Sequence, residues 1–252
     1  MQAPPPSTSR SIPATRSATA SHLLGKTTTP RPASPPASGA TADIDTFAST
    51  LYGSRVFDAG FFINGQLGVG YNQYDTSRNV VGLGTASGET NGMQGSAKLE
   101  AGQDLAVGAI TVTPLASVQY TYLDMDEYTE TGVGNAGLTV TPDAMSAIDA
   151  ALGLKLAYAM ALADGGSLIP SVHAKYIRRL GDRELASTSS FSGAPGTAFN
   201  TTGVEGDDAS INVGAGLLLT TIGGTDLSLN YDADIRDSLT GHTGQVKARW
   251  AF

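Results

Sequence analysis

Long segments in which apolar residues recur at every second position constrain this fold more than any other feature of the sequence. The clearest is 225–236, where Leu227, Leu229, Tyr231, Ala233 and Ile235 alternate with Asp226, Ser228, Asn230, Asp232, Asp234 and Arg236. Successive side chains of a β-strand point to opposite faces, so the pattern predicts strands with one apolar and one polar face. We expect nine strands in an all-β fold, near 43–57, 61–75, 92–105, 109–123, 145–161, 167–180, 208–220, 225–236 and 240–252.

The lengths of these segments and of their connections indicate a transmembrane barrel. Strands of this length extend over about 40–50 Å, which exceeds what a tilted strand needs to cross a bilayer. Short glycine-containing turns alternate with longer loops at 76–91, 124–144 and 181–207. An antiparallel up-and-down transmembrane β-barrel has short periplasmic turns and long outer loops. Two prolines, Pro114 and Pro170, lie inside predicted strands, and we expect a bulge near a periplasmic rim at each.

The composition divides the chain into two regions. Residues 1–40 are rich in Pro, Ser, Thr and Ala and lack periodicity, which predicts a disordered tail without a visible signal peptide, whereas residues 41–252 form the barrel domain. The net charge of −8 argues against a nucleic-acid partner, and the absence of cysteine excludes disulfides and thiolate metal sites. No apolar run is long enough for a transmembrane helix. This does not argue against a barrel, because barrel strands alternate apolar and polar residues and contain no long apolar run.

The last strand indicates the destination of the chain. Counting back by twos from the terminal residue gives Phe252, Trp250, Ala248 and Val246, while the intervening positions are mostly polar. A final strand of this kind resembles the closing strand of a bacterial outer-membrane barrel. We therefore predict an outer-membrane location and identify these four residues as the signal for barrel assembly.

The polar face of the strands is the candidate functional surface. Mixed charges would keep a narrow lumen hydrated and could pair across it, although in a soluble sheet the same face would simply meet water. The histidines have no partner at metal-ligand spacing, and no nucleophile motif is present. We therefore nominate no catalytic residue, cofactor or metal ligand. The polar residues expected to face the lumen are Lys98, Glu100, Lys155, Lys175, Asp226, Asp232, Asp234, Lys247 and Arg249.

Three stretches resemble the C-terminal translocator domain of type V autotransporters, over roughly residues 40–252. They are 42–75 with its Leu-Tyr-Gly-Ser and Phe-Phe-Ile-Asn-Gly-Gln-Leu-Gly runs, 176–199 with Tyr-Ile-Arg-Arg-Leu-Gly-Asp and Gly-Ala-Pro-Gly, and Val-Gly-Ala-Gly-Leu at 213–217 with the Trp-Ala-Phe ending. The resemblance implies a twelve-stranded outer-membrane barrel with a helix in its lumen. It also implies that the domain anchors and exports an N-terminal passenger by type V secretion, without enzymatic activity. The implied partners are outer-membrane lipid, barrel-assembly machinery, periplasmic chaperones and a passenger, which this chain lacks.

The strand count departs from the resemblance. With nine strands instead of twelve, the first and last strands run parallel, so an antiparallel barrel cannot close. If the sheet stays open, the backbone N–H and C=O groups at its two edges have no hydrogen-bond partner in lipid. We therefore expect an incomplete translocator, from a truncated gene or a misplaced start, whose barrel is open. Two alternatives remain at this point: a small porin-like or adhesin barrel complete in itself, and a soluble β-sandwich or lipocalin-like binding protein.

Overall fold

In the computed structural model, the described residues, 19–25, 40–163, 165–203 and 205–250, are almost entirely β-structure. No helix in this part of the chain is both long and apolar enough to span a membrane. Two short 3₁₀ turns lie at Asp58–Gly60 and Gly134–Ala136. The strands are β1 (Thr19–Gly25), β2 (Ala40–Val56), β3 (Phe61–Val80), β4 (Gly84–Gln103), β5 (Leu105–Val107), β6 (Ile110–Met125), β7 (Tyr128–Thr129), β8 (Leu138–Pro142), β9 (Met145–Tyr158), β10 (Met160–Ala161), β11 (Ser167–Gly181), β12 (Ala186–Phe191), β13 (Ala194–Thr202), β14 (Ala209–Thr220), β15 (Asp226–Ile235) and β16 (Thr240–Arg249).

The main sheet is an antiparallel meander in chain order. It runs β1-β2-β3-β4-β6-β9-β11-β14-β15-β16, with β5 and β10 continuing β4 and β9 along their neighbours. All nine predicted strands are present, and the all-β antiparallel prediction is confirmed. The prediction of a long loop at 76–91 is wrong, because β3 and β4 stay paired up to Val80 and Gly84 around a tight turn. We call the end of the sheet with the turns at 57–60, 104–109, 159–166 and 221–225 the turn end, and the opposite end the loop end.

A tenth strand joins the path ahead of the nine that were predicted. β1 pairs with β2 from Thr19 opposite Tyr52 to Gly25 opposite Thr46. This pairing departs from the predicted disordered tail, whose other residues lie outside the described part of the chain, except for residue 40. With β1 included, the two end strands of the path run antiparallel, so the parallel seam expected from nine strands does not arise between them. Within the described residues, no backbone pairing joins β1 to β16. The division into tail and barrel remains a prediction.

The sheet is curled, and its two faces differ in composition. Lys247 of β16 lines a cavity of about 310 Å³ together with Ser54, Asn64 and Glu100 of β2, β3 and β4, so the sheet turns far enough for distant strands to face each other. We call this inner, polar side the concave face. The convex face carries large apolar side chains that are strongly exposed, such as Leu152 at 69%. No large side chain in the described residues is fully buried, so the sheet has no apolar core of the usual kind.

Each proline coincides with a gap in one ladder. Opposite Pro114, the pairing of β6 stops with β4 at Gly102 and resumes with β5 at Leu105 in unchanged register. Opposite Pro170, the pairing of β11 stops with β9 and resumes with β10, again in step. Because proline lacks an N–H, one ladder rung is lost at each site. The expected bulges are wrong at these positions, since no residue is inserted and the strand directions are kept.

At the loop end, two connections fold together into a second sheet. Its strand order is β13-β12-β8-β7, which joins the loop after β6 to the loop after β11. The turn after β12 docks on the first loop, where Ser192 N–H donates to the Gly137 carbonyl at 2.8 Å. The loops flanking this end therefore form one ordered unit.

The polar concave face as the candidate functional site

One cross-sheet ion pair links strands that are not neighbours. Lys175 Nζ on β11 lies 3.3 Å from Glu100 Oε2 on β4, with β6 and β9 between them. The aliphatic stem of Lys175 passes directly over Gly153, where an added Cβ would lie 2.7 Å from Lys175 Cγ. Asn64 Nδ2 donates to the other Glu100 oxygen at 3.2 Å. A glycine on β9 thus gives Lys175 the room to reach across the concave face.

A second pair extends from β11 in the opposite direction. His173 Nε2 lies 3.0 Å from Asp232 Oδ1 on β15 and 3.0 Å from Asn212 Oδ1 on β14. The imidazole crosses Gly214, where an added Cβ would lie 2.4 Å from the ring. Both long side chains therefore extend over a glycine of the neighbouring strand. Their two contacts together span the six strands β4, β6, β9, β11, β14 and β15.

A mixed-charge cavity of about 290 Å³ occupies the loop-end half of the concave face. Arg179 makes a bidentate contact with Asp149, at 2.8 and 2.9 Å. Arg236 donates to Asp234 Oδ2 at 3.2 Å. Among the described residues, the buried Oδ1 of Asp234 has no hydrogen-bond partner. One carboxylate oxygen of this cluster is therefore buried without a hydrogen-bond partner among the described residues.

The remaining residues of the predicted polar set lie on the same face. Lys98 lines both concave cavities, and Lys247 lines the second one with it. Lys155 lies opposite Thr113 and His173 in the ladders. Arg249 forms an ion pair with Asp226, which also accepts a hydrogen bond from Thr220 at 2.9 Å. The structure thus places all nine predicted side chains on one face, and six of them take part in ion pairs.

Two further polar contacts lie at the loop end of the sheet. Arg78 forms two hydrogen bonds with Glu130, at 3.2 and 2.5 Å, and the carboxylate raises the pKa of the guanidinium. The Asp207 carboxylate accepts hydrogen bonds from the Ser238 hydroxyl at 2.6 Å and the Ser238 amide at 3.1 Å. These two bonds lower the pKa of Asp207. Each contact fastens one loop-end segment to another.

The final strand has the alternation predicted for a barrel-assembly signal. Val246 and Ala248 lie opposite Leu229 and Leu227 on the convex face, and Trp250 is 62% exposed. Phe252, the residue on which the prediction most depends, lies outside the described residues. The role of these residues in assembly therefore stays a prediction.

Sequence reasoning missed several members of these clusters. Asn64 and Asn212 lie at polar-face positions of their strands, but nothing else in the sequence distinguishes them. The glycines at 153 and 214 resemble any other glycine in a strand. The Arg78–Glu130 contact joins a strand to a loop 52 positions away. Only the strand registers bring these residues together. Among the described residues, no group of three or more His, Cys, Asp or Glu side chains is arranged to hold a metal ion.

The chain matches a known family over most of its length. The family model described as "Autotransporter beta-domain" matches residues 18–232. The chain is 26% identical to "Outer membrane protein B" of Rickettsia japonica and 25% identical to the protein of the same name in Rickettsia rickettsii, over 224 residues in each case. These alignments cover 85% of this chain but only 13% of each relative. The chain therefore spans a small part of the length of these curated relatives.

Two solved structures have a similar fold. The β domain of the Bordetella autotransporter BrkA superposes with a TM-score of 0.63 at 17% identity, covering 86% of this chain and 77% of BrkA. The translocator domain of the autotransporter NalP from Neisseria meningitidis gives a TM-score of 0.65 at 18% identity, covering 84% of this chain and 69% of NalP. At this identity the likeness concerns the fold alone.

The porin-like and soluble-binder alternatives are not favoured by these findings. The matched family, the curled antiparallel sheet, the exposed apolar convex face and the polar concave face agree with one another. The chain therefore belongs to the autotransporter beta-domain family.

Proposed function

We propose that this domain anchors and exports an N-terminal passenger by type V secretion, with the concave face lining the path that the polypeptide follows. The proposal is carried mainly by the family match over residues 18–232. The concave face supports it, because paired charges there offer hydrogen bonds to a chain in transit without a continuous apolar surface to which it would stick.

Several partners follow from the same proposal. Outer-membrane lipid would cover the convex face, and barrel-assembly machinery would bind the final strand through Phe252, Trp250, Ala248 and Val246. Periplasmic chaperones would hold the chain before insertion. The domain would act by transport and anchoring, without catalytic turnover and without nucleic acid or a cofactor. The turn end would face the periplasm and the loop end the outside.

The proposal is tested by expressing the chain behind a secretory signal peptide in a Gram-negative host, with an epitope placed before residue 1. We expect a heat-modifiable band in the outer-membrane fraction and an epitope that is accessible to external protease in intact cells. An inserted barrel whose epitope stays in the periplasm would contradict export. A chain found only in the soluble fraction would contradict the membrane placement itself.

A further inference from the structure

The convex side of the sheet carries an apolar groove of about 580 Å³ across β2, β3, β4 and β6. Its walls include Leu51, Leu67 and Leu99, and its floor is formed at Gly53 and Gly65. These two glycines are paired in register, and an added Cβ at either one would meet no atom within 4 Å. The groove exists because two neighbouring strands lack a side chain at the same level.

The groove lies at the depth of one membrane leaflet. Leu67 is six residues from Phe61, where β3 begins at the turn end. Six residues extend about 20 Å along a strand, or about 15 Å along the membrane normal at a tilt of about 40°. The hydrocarbon core is about 30 Å thick, so the groove opens into the half of the bilayer next to the turn end.

A basic side chain marks the rim beside the groove. Arg55 follows Gly53 by two residues toward the turn end and therefore projects from the same face. Its guanidinium carbon lies 5.1 Å from the centroid of the Phe57 ring, which in turn lies 5.6 Å from the ring of Phe61. Within the described residues, Arg55 forms no ion pair. An exposed arginine on the lipid-facing side of a strand, held at an aromatic rim, is suited to a phosphate group.

We propose that the groove and Arg55 together form a binding site for a glycerophospholipid of the periplasmic leaflet, with one acyl chain over Gly53 and Gly65 and the phosphate at Arg55. The inference rests on the proposed function for its membrane placement and orientation. Charge complementarity at the rim and the apolar lining favour this occupant over a second copy of the chain, for which the exposed guanidinium would need an acidic partner.

The test uses photoreactive lipid with the full chain folded into phosphatidylcholine vesicles. One probe is a phosphatidylglycerol with a diazirine on its acyl chain, and the other is a diacylglycerol with the same chain and no phosphate. Cross-linked peptides are mapped by mass spectrometry. We expect both probes to label the groove peptides of β2, β3 and β4 more than other convex peptides, with phosphatidylglycerol ahead of diacylglycerol.

Two variants separate the groove from the phosphate contact. Gly65→Leu fills the groove and should remove the enrichment for both probes, whereas Gly95→Leu, also at a glycine with open space but outside the groove lining, should keep it. Arg55→Gln should lower the ratio of phosphatidylglycerol to diacylglycerol labelling about fivefold, equivalent to about 1 kcal/mol. Arg178→Gln, at an exposed arginine near the loop end, is its control.

The outcomes distinguish this site from the proposed function. Heat-modifiable mobility reports folding of each variant, and Gly65→Ala replaces Gly65→Leu if the larger side chain prevents insertion. Inserted protein with even labelling of the convex face, or with an unchanged probe ratio in Arg55→Gln, overturns the lipid site alone. A wild-type chain that does not insert overturns the proposed membrane function and the lipid site with it.

Discussion

On the concave face, charged side chains of distant strands meet in pairs, whereas on the convex face Leu152 and Val246 are each 69% exposed. Both faces belong to the same strands and use the same alternation. The difference shows that this sheet has no shared apolar core, so each face is adapted to what covers it. The interior is held by polar contacts such as Glu100–Lys175, whereas under the proposed function the exterior would be covered by lipid.

The strongest way to break this division is to place a charge on the convex face. Leu152→Arg in the middle of β9 should destabilise the inserted barrel by about 2–4 kcal/mol, because lipid cannot solvate the guanidinium. Gln119→Arg, on the concave face of β6, should change the stability by less than about 1 kcal/mol. Urea unfolding in vesicles, followed by heat-modifiable mobility, measures both. Equal losses would show that the two faces do not differ in environment.

Removing one partner of the cross-sheet ion pair should have the next largest effect. Glu100→Ala should cost about 1–3 kcal/mol, because the half-buried Lys175 ammonium is left without its acceptor. A double-mutant cycle with Lys175→Ala should give a coupling of at least about 0.5 kcal/mol. Lys155→Ala is the matched control, since Lys155 takes part in no ion pair with the described residues. A coupling free energy near zero would mean that the Glu100–Lys175 ion pair does not stabilise the curled sheet.

The glycines beneath the long side chains provide a finer test of the concave face. Gly214→Ala should cost about 1 kcal/mol, because its methyl group would collide with the His173 ring and the Tyr231 carbonyl. Gly241→Ala is the control, as its added Cβ meets nothing within 4 Å. Thermal melting in detergent compares the two variants. A larger loss from Gly241→Ala would contradict the steric argument.

The smallest expected effect concerns pH at the loop end. The folded pKa of Asp207 is lowered by its bonds to Ser238, so this contact contributes above the ordinary aspartate pKa of about 3.9 and is lost as the pH falls through the lowered value. Limited proteolysis of the 236–239 connection should therefore accelerate in acid. Asp207→Asn should show fast cleavage at neutral pH and a flatter pH profile. If the pH dependence of cleavage is the same in Asp207→Asn as in the wild type, groups other than Asp207 cause the faster cleavage in acid.

Much of this architecture was predictable because the side-chain period of a strand is two and the apolar residues follow it. All nine predicted strands were found, and the nine predicted polar residues lie on one face. The extended β3–β4 hairpin was missed because residues 76–79 and 84–92 are almost all polar or glycine, so neither face shows an apolar repeat there. The β1 strand was missed for a similar reason, since its composition resembled that of the surrounding tail.

The sequence by itself determined which residues of each strand share a face, the order of the strands and the family to which the chain is similar. Only the tertiary structure decided which polar residues meet. Strand register and sheet curvature bring together the ion pairs Lys175–Glu100, His173–Asp232 and Arg78–Glu130. The groove on the convex face likewise depends on Gly53 and Gly65 falling at the same level of adjacent strands. Alternation is a local property of the chain, whereas register and curvature arise from all the strands together.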